Sequence, residues 1–346
     1  MGVVPRSRGL VPYRRLLAAS LCLLTMSVAC SAVARQPVRI ALVRSVASAP
    51  LYIAIQNGAF AAESLDARLD FVASDALATA AVANGDDDIA MTNLTPAFFN
   101  YAAMHRLKLL ASQVSEQTGF PGHVLLVDKK AYADGLRSIR DLRHRKIGII
   151  SAEPSVRYAF SRIAEQYRIG MANTKIVAFR TASGAVAAMS SGLIDAAALP
   201  YIDVARRAEK LGGAAVLRLG DAVEWQEGGV VASAQTIESH RPLVEKFMRA
   251  YLRGTVDYDI TFLQRDDEGT MLPGQNYGTY LEMIADRTGV APALLQLVLP
   301  YCDRLGRLDA GDVKRQIAFW QGKGLVGRQV SSANLFDFSF ADAIDP

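Results

Sequence analysis

The sequence predicts an α/β protein built from two similar lobes, and three observations carry that prediction. An apolar strand at Ile40-Ala41-Leu42-Val43, with a short polar loop and a helix opening near Pro50, returns in part at Lys146-Ile147-Gly148-Ile149-Ile150, 107 residues further on. The stretch from Ala187 to Ala197 stands at the same offset from Ala80 to Ala90, pairing Gly85 with Gly192 and Asp88 with Asp195. Apolar strands ending in small polar residues recur in both units, the pattern of a parallel sheet whose carboxyl edge receives a ligand.

At the start of the chain, Arg14-Arg15 precede an apolar run from Leu16 to Ala29, and no acidic residue occurs before Glu63. Such a run is short for a bilayer span and is followed by small residues, so residues 1–34 are expected to be a secretory signal peptide. Ala32-Val33-Ala34 fits cleavage after Ala34, while Ser27-Val28-Ala29-Cys30 resembles a bacterial lipoprotein box. The mature chain is therefore expected in the periplasm, soluble or anchored through a lipidated Cys30. Lysine and arginine number 38 against 34 acidic residues; loss of Arg6, Arg8, Arg14 and Arg15 with the leader leaves 34 against 34. Basicity thus belongs to the targeting segment, and composition gives no case for nucleic acid or membrane-surface binding. Of three cysteines, Cys22 and Cys30 fall in that segment and Cys302 is left alone. The exported body, an expected monomer, must be stable through core burial without disulfides.

Further along, Asn57-Gly58 ends the first helix, and Leu65 to Val72 reads as a second strand. Ser74-Asp75 caps a helix running to Asn84, where Gly85 is a left-handed stop. Asp88-Ile89-Ala90-Met91 is a short buried strand ending at Thr92 to Pro96, which makes three strand ends in the first lobe. Pro121-Gly122-His123 with Val124 to Val127 reads as a strand crossing into the second lobe. After Ser138 to Leu142 and the repeated strand come a helix from about Pro154 to Arg168, a strand at Lys175 to Phe179, and a helix from Ser183 to Ser191. A strand ending at Leu199-Pro200-Tyr201, a helix from Asp203 to Leu211 stopped by Gly212-Gly213, and a strand at Ala215 to Leu219 follow. Trp225 to Val231 is the return crossing, and from Thr236 the pattern is helical, with Val244, Phe247, Met248, Tyr251 and Leu252 on one face. Two crossings are what insertion of one lobe within another requires. The first lobe is expected over 35–124 and 227–346, the second over 125–226.

Ser45, Ser48, Ser74, Asn93 and Thr95 at the first-lobe strand ends are candidate ligand contacts, as are Ser155, Ser183 and Tyr201, with Ser151, in the second. Any one of them can simply be a helix cap or turn former. Tyr52 lies on the first helix. Arg44 and Arg180 follow strands directly and can pair with an anion, although a solvated arginine is the commoner case. Trp225 can stack on an apolar ligand or pack between lobes. Of His105, His123, His144 and His240, which show no metal-ligand spacing, His123 is placed to face a cleft. No H-E-x-x-H, G-x-S-x-G or Walker pattern occurs. Asp86-Asp87-Asp88 reads as structural punctuation, since Asp88 repeats as Asp195 beside a glycine stop. Cys302 reads as a buried hydrophobe, and no cofactor or metal is expected.

Pro50-Leu51-Tyr52-Ile53-Ala54 with Asn57-Gly58-Ala59-Phe60, the Gly85 to Ala90 stretch, and Ser138 to Leu142 before Lys146-Ile147-Gly148 carry a resemblance. So do Gly306-Arg307-Leu308-Asp309 with Val313, Gln316, Trp320 and Gly324-Leu325-Val326. Together they resemble periplasmic substrate-binding proteins of ABC importers, in the branch that takes aliphatic sulfonates, taurine, nitrate and thiamine-pyrimidine precursors. The resemblance covers most of residues 38–330. It implies a two-lobed type II fold, a ligand cleft between the lobes, no bond-breaking step, and delivery of the small-molecule ligand to a permease and its ATPase. Contacts from both lobes exist together only when the protein is closed, so a ligand favours closure by its differential affinity. Relatives often carry a Gly-Ser-rich turn where Ala152-Glu153-Pro154 stands here, and a carboxylate there repels an anion or caps the helix. The serine-rich, arginine-flanked edges point to a small organic anion with an apolar body, such as a sulfonate or an aromatic carboxylate. The resemblance leaves two further readings open: an exported ligand sensor, and an enzyme of the pyrimidine-precursor synthase or sulfinate hydrolase type, whose cysteines Cys302 does not match.

Overall fold

The computed structural model describes residues 1–3, 34–150, 154–170, 173–205 and 215–344. Almost all of the expected signal segment, with Cys22 and Cys30, lies outside the described residues, as do Ser151-Ala152-Glu153 and the Gly212-Gly213 stop. Among the described residues, ten strands form two five-stranded sheets. β1 (Gln36–Val43), β2 (Leu65–Val72), β3 (Ile89–Asn93) and β4 (Leu107–Glu116) come first. β5 (His123–Val127), β6 (Lys146–Ile150), β7 (Lys175–Phe179), β8 (Ala196–Pro200) and β9 (Ala215–Arg218) follow, and β10 (Trp225–Ser233) returns. The strand orders are β2-β1-β3-β10-β4 and β7-β6-β8-β5-β9. β1 to β3 are parallel, as are β6 to β8, and β10 and β5 stand antiparallel in corresponding places. The second sheet begins at His123 and the first resumes at Trp225, each two residues before the expected boundary.

The internal repeat holds at the level of register. Ile40 pairs with Ile89 and Ile147 with Ala196, so both partners move by the same 107 positions. Asp88 and Asp195 do the same job in the two units. The backbone N–H of Arg39 donates to Asp88 Oδ2 at 2.8 Å, and that of Lys146 to Asp195 Oδ2 at 2.6 Å. Gly85 and Gly192 take φ of 81° and 74° just before, a turn that penalises any side chain. The acidic run at 86–88 thus closes a helix-to-strand loop. Replacing either aspartate with alanine should cost about 1 kcal/mol, since each bond is near the surface. Urea midpoints should fall by similar amounts, and a loss at only one site would contradict the equivalence of the loops.

α1 (Ala49–Gln56) starts with Pro50 in its first turn, where a missing N–H is harmless. α2 (Asp75–Asn84) is capped by Ser74, and α3 (Pro96–His105) by Thr95. α3 and β4 are absent from the elements the sequence predicts. β4 is buried along nearly its whole length, so it lacks the alternation that marks a half-exposed strand. α4 (Ser155–Gln166) and α5 (Ala182–Ser190) belong to the second sheet's layers; of the helix expected over 203–211, Tyr201–Ala205 is described. α6 (Ala234–Tyr258) bends at His240, two residues before Pro242, and α7 (Tyr277–Thr288), α8 (Pro292–Val298) and α9 (Ala310–Gly322) follow.

One face of the first sheet buries Val38, Ile40 and Leu42 against α1 and the Phe247–Tyr251 face of α6. Its other face joins a core that continues through Trp225, Trp320 and Tyr158 to Leu125 and Ile147 of the second sheet. That shared core joins the two sheets. No described helix is long and apolar enough to cross a membrane.

Candidate functional site

The parallel order of each sheet brings the carboxyl ends of β1, β3, β4 and β8 to one place, and the antiparallel β5 and β10 start there. Between them lies a cavity of about 390 Å³, walled by residues of both sheets and closed by Val290, Val298 and Pro300. Its size suits a small molecule.

Of the residues expected at a ligand, Arg44, Ser45, Asn93, His123 and Tyr201 line this cavity. Three others stand one bond behind it. Ser48 accepts from Gln113 Nε2 at 3.2 Å, Ser155 Oγ donates to Glu227 Oε1 at 2.9 Å, and Trp225 Nε1 donates to Glu227 Oε2 at 2.5 Å. Trp225 is buried, with its ring 6.1 Å from that of His123, so it braces the wall rather than stacking on a ligand. Ser74 and Thr95 are helix caps, accepting from the N–H groups of Leu77 and Phe98. Tyr52 is wholly buried in the core beside β1. Ser74, Arg180 and Ser183 share a reason for missing the cavity: they follow β2 and β7, the edge strands, whose ends lie away from the centre. Arg44 has other contacts besides the cavity, donating to the Arg287 carbonyl at 2.8 Å with its guanidinium 3.8 Å above the Phe71 ring.

The carboxylates of the site are not legible in the sequence. Glu116 ends β4, His123 begins β5, and Glu227 lies near the start of β10. Glu116 Oε1 accepts from the His123 backbone N–H at 2.8 Å and lies 2.6 Å from Nδ1 of the same residue. Glu116, His123 and Glu227 each bring one donor atom within 4.8 Å of the others, a grouping able to hold a metal ion or another positive group. Asp75, at the start of α2, accepts from the Asn93 N–H at 3.0 Å and faces the same space. No spacing in the chain announces this set, because the topology alone assembles it.

Burial pushes the Glu227 carboxyl above the usual range; the nearby charge of Glu116 adds to this, while His123, Trp225 and Ser155 oppose it. Burial likewise raises Asp75. Since the folded state holds the Glu227 proton more tightly than the unfolded chain does, that contribution to stability is full below the ordinary glutamate range, near pH ~4.3, and is lost as pH rises through the folded value. Glu227→Gln removes the ionisation. The variant should therefore gain on the wild type in thermal unfolding as pH rises from about 4 to about 8, and a difference flat with pH would contradict the buried carboxyl. Cys302, the free cysteine among the described residues, does not line the cavity, and burial pushes its thiol up, which disfavours the thiolate there.

A family model described as NMT1/THI5 like matches residues 45–258. Comparison with curated sequences gives no match. Among solved structures, the periplasmic aliphatic sulphonate binding protein SsuA from Escherichia coli is similar at a TM-score of 0.68 and 15% identity, over 90% of this chain and 94% of that one. The sulfonate-binding SsuA from Methylobacillus flagellatus KT gives 0.64 and 17%, over 89% and 93%. The periplasmic nitrate-binding protein NrtA from Synechocystis gives 0.60 and 10%, over 88% and 87%. These likenesses establish the fold: two lobes, each a mixed α/β sheet flanked by helices, as in periplasmic binding proteins.

Proposed function

Because this chain belongs to the NMT1/THI5-like family, we propose that it is an extracytoplasmic solute-binding protein that takes a small organic solute between its lobes and delivers it to an ABC-type permease and its ATPase. The observation that carries this reading is the position of the cavity, at the meeting of equivalent edges of two sheets with the same strand order. A solute there touches both lobes, so its differential affinity favours the arrangement in which both sets of contacts exist. The sulfonate and nitrate binders among the structural neighbours support import rather than catalysis, as does a cysteine kept protonated away from the cavity. The organic anion expected from the arginine-flanked strand ends agrees in charge with the sulfonate and nitrate that those neighbours bind, but of the two arginines only Arg44 lines the cavity, where it is also engaged with Arg287 and Phe71.

Thermal unfolding at fixed pH and salt tests the reading against sulfonates, aromatic acids, nitrate, amines and amino-heterocycles. A solute at 100 times its Kd should stabilise the fold by about 2.7 kcal/mol. Ala47→Phe, which fills the cavity, should abolish the shift. Absence of a shift with every class, or a shift indifferent to Ala47→Phe, would overturn the proposal.

A further inference from the structure

We propose that the solute carries a positively charged nitrogen head group, an ammonium or amidinium, received by Glu116 and Glu227 where the two chain crossings meet the cavity. This deepens the solute-binding reading and rests on it. The first observation is charge. The wall holds three carboxylates, Asp75, Glu116 and Glu227, against Arg44 and His123, and the Arg44 guanidinium is laid on Phe71. A sulfonate placed there meets like charge in a partly desolvated space, whereas a cation relieves the cost of burying the carboxylates.

The second is orientation. Glu116 is held by two donors of His123, and Glu227 by Ser155 and Trp225, one on each oxygen. Each Glu227 oxygen keeps a second accepting direction, and a carboxylate fixed this way suits the paired N–H groups of an amidinium. The third is Gln113, only 4% exposed and lining the same cavity. Its Nε2 donates to Ser48, while Oε1 has no hydrogen-bond partner among the described residues. A buried acceptor on the wall calls for a donor on the ligand. The rest of the lining, with Val43, Val46, Met91 and Val298, suits an apolar body attached to that head. A bare metal ion would use the Glu-His-Glu grouping and leave the apolar half of the cavity without a role.

The test is isothermal titration of the full chain, freed of carried-over ligand, with benzamidine and benzylammonium against benzamide, benzenesulfonate and zinc chloride alone. The two cations should bind at least about tenfold more tightly than benzamide, and benzenesulfonate should not bind. Glu227→Gln should weaken benzamidine by roughly 100-fold while leaving benzamide within about threefold. The wild-type preference among probes needs no variant, so a misfolded mutant does not rescue the idea. Tighter binding of benzenesulfonate, lost in Ala47→Phe, would overturn the cationic head and leave solute binding standing. One zinc per chain, lost in both Glu227→Gln and His123→Gln while benzamidine fails to bind, would overturn it in favour of a metal site. Silence from all probes beside an Ala47→Phe-sensitive thermal shift by an anion would overturn it too; silence with no such shift by any solute would overturn the solute-binding reading itself.

Discussion

Replacing Asp312 with alanine should destabilise the protein by about 3–5 kcal/mol, because it strands several buried donors at once. Asp312 is fully buried at the start of α9. It accepts from the Tyr158 hydroxyl, from the Gln226 backbone N–H at 3.0 Å and from Gln316 Nε2 at 2.9 Å. Burial raises its pKa against the pull of these bonds, so they are what keeps a carboxylate tolerable there. Tyr158 lies on α4 beside the second sheet, and Gln226 lies on β10 of the first, so the same acid ties the two layers together. Gln226 in turn donates to Ser112 Oγ and the Gly228 carbonyl, both at 2.7 Å, one residue from Glu227. Urea unfolding should show a sharply lower midpoint for Asp312→Ala and a smaller loss for Asp312→Asn, which keeps the acceptor. A loss below about 1 kcal/mol for the alanine variant would show that water or rearrangement satisfies the donors.

Gly254→Ala should lower stability by about 2–3 kcal/mol, although alanine is the better helix former by about 1 kcal/mol. Gly254 faces α1 from near the carboxyl end of α6. A Cβ there would stand 2.2 Å from the Pro50 carbonyl oxygen and 2.7 Å from the Ala54 Cβ. The first contact is with backbone, which cannot rotate away, so the helices must separate. Overlap therefore wins over propensity. Because α1 follows directly on the Ser45–Ser48 rim, the variant should also weaken whichever solute the wild type binds. A variant as stable as wild type would mean that the helices slide apart freely.

Much of the fold was legible because its signals are local. Strands β2 and β7 sit where their turn residues place them, and the Gly85–Asp88 and Gly192–Asp195 loops act as their repetition implies. β4 escaped because a strand buried on both faces has no alternation to read. The site was legible in part. Of the expected strand ends, Ser45, Asn93 and Tyr201 line one cavity, whereas Ser74, Arg180 and Ser183 follow edge strands, and sheet order is not written beside them. Glu116 and Glu227 gave no local sign. Their meeting at His123 depends on two crossings brought side by side by antiparallel β5 and β10.

The most direct test of solute binding between the lobes is a distance. Spin labels at Ala73 and Arg180, both exposed and just past the ends of the edge strands β2 and β7, report the separation of the two sheets' rims. Double electron–electron resonance should show a distribution that narrows and shortens when a solute that stabilises the protein is added to saturation, with no change in the Ala47→Phe background. An unchanged distribution with a solute shown to occupy the cavity would contradict closure and, with it, the delivery of a captured solute to a permease.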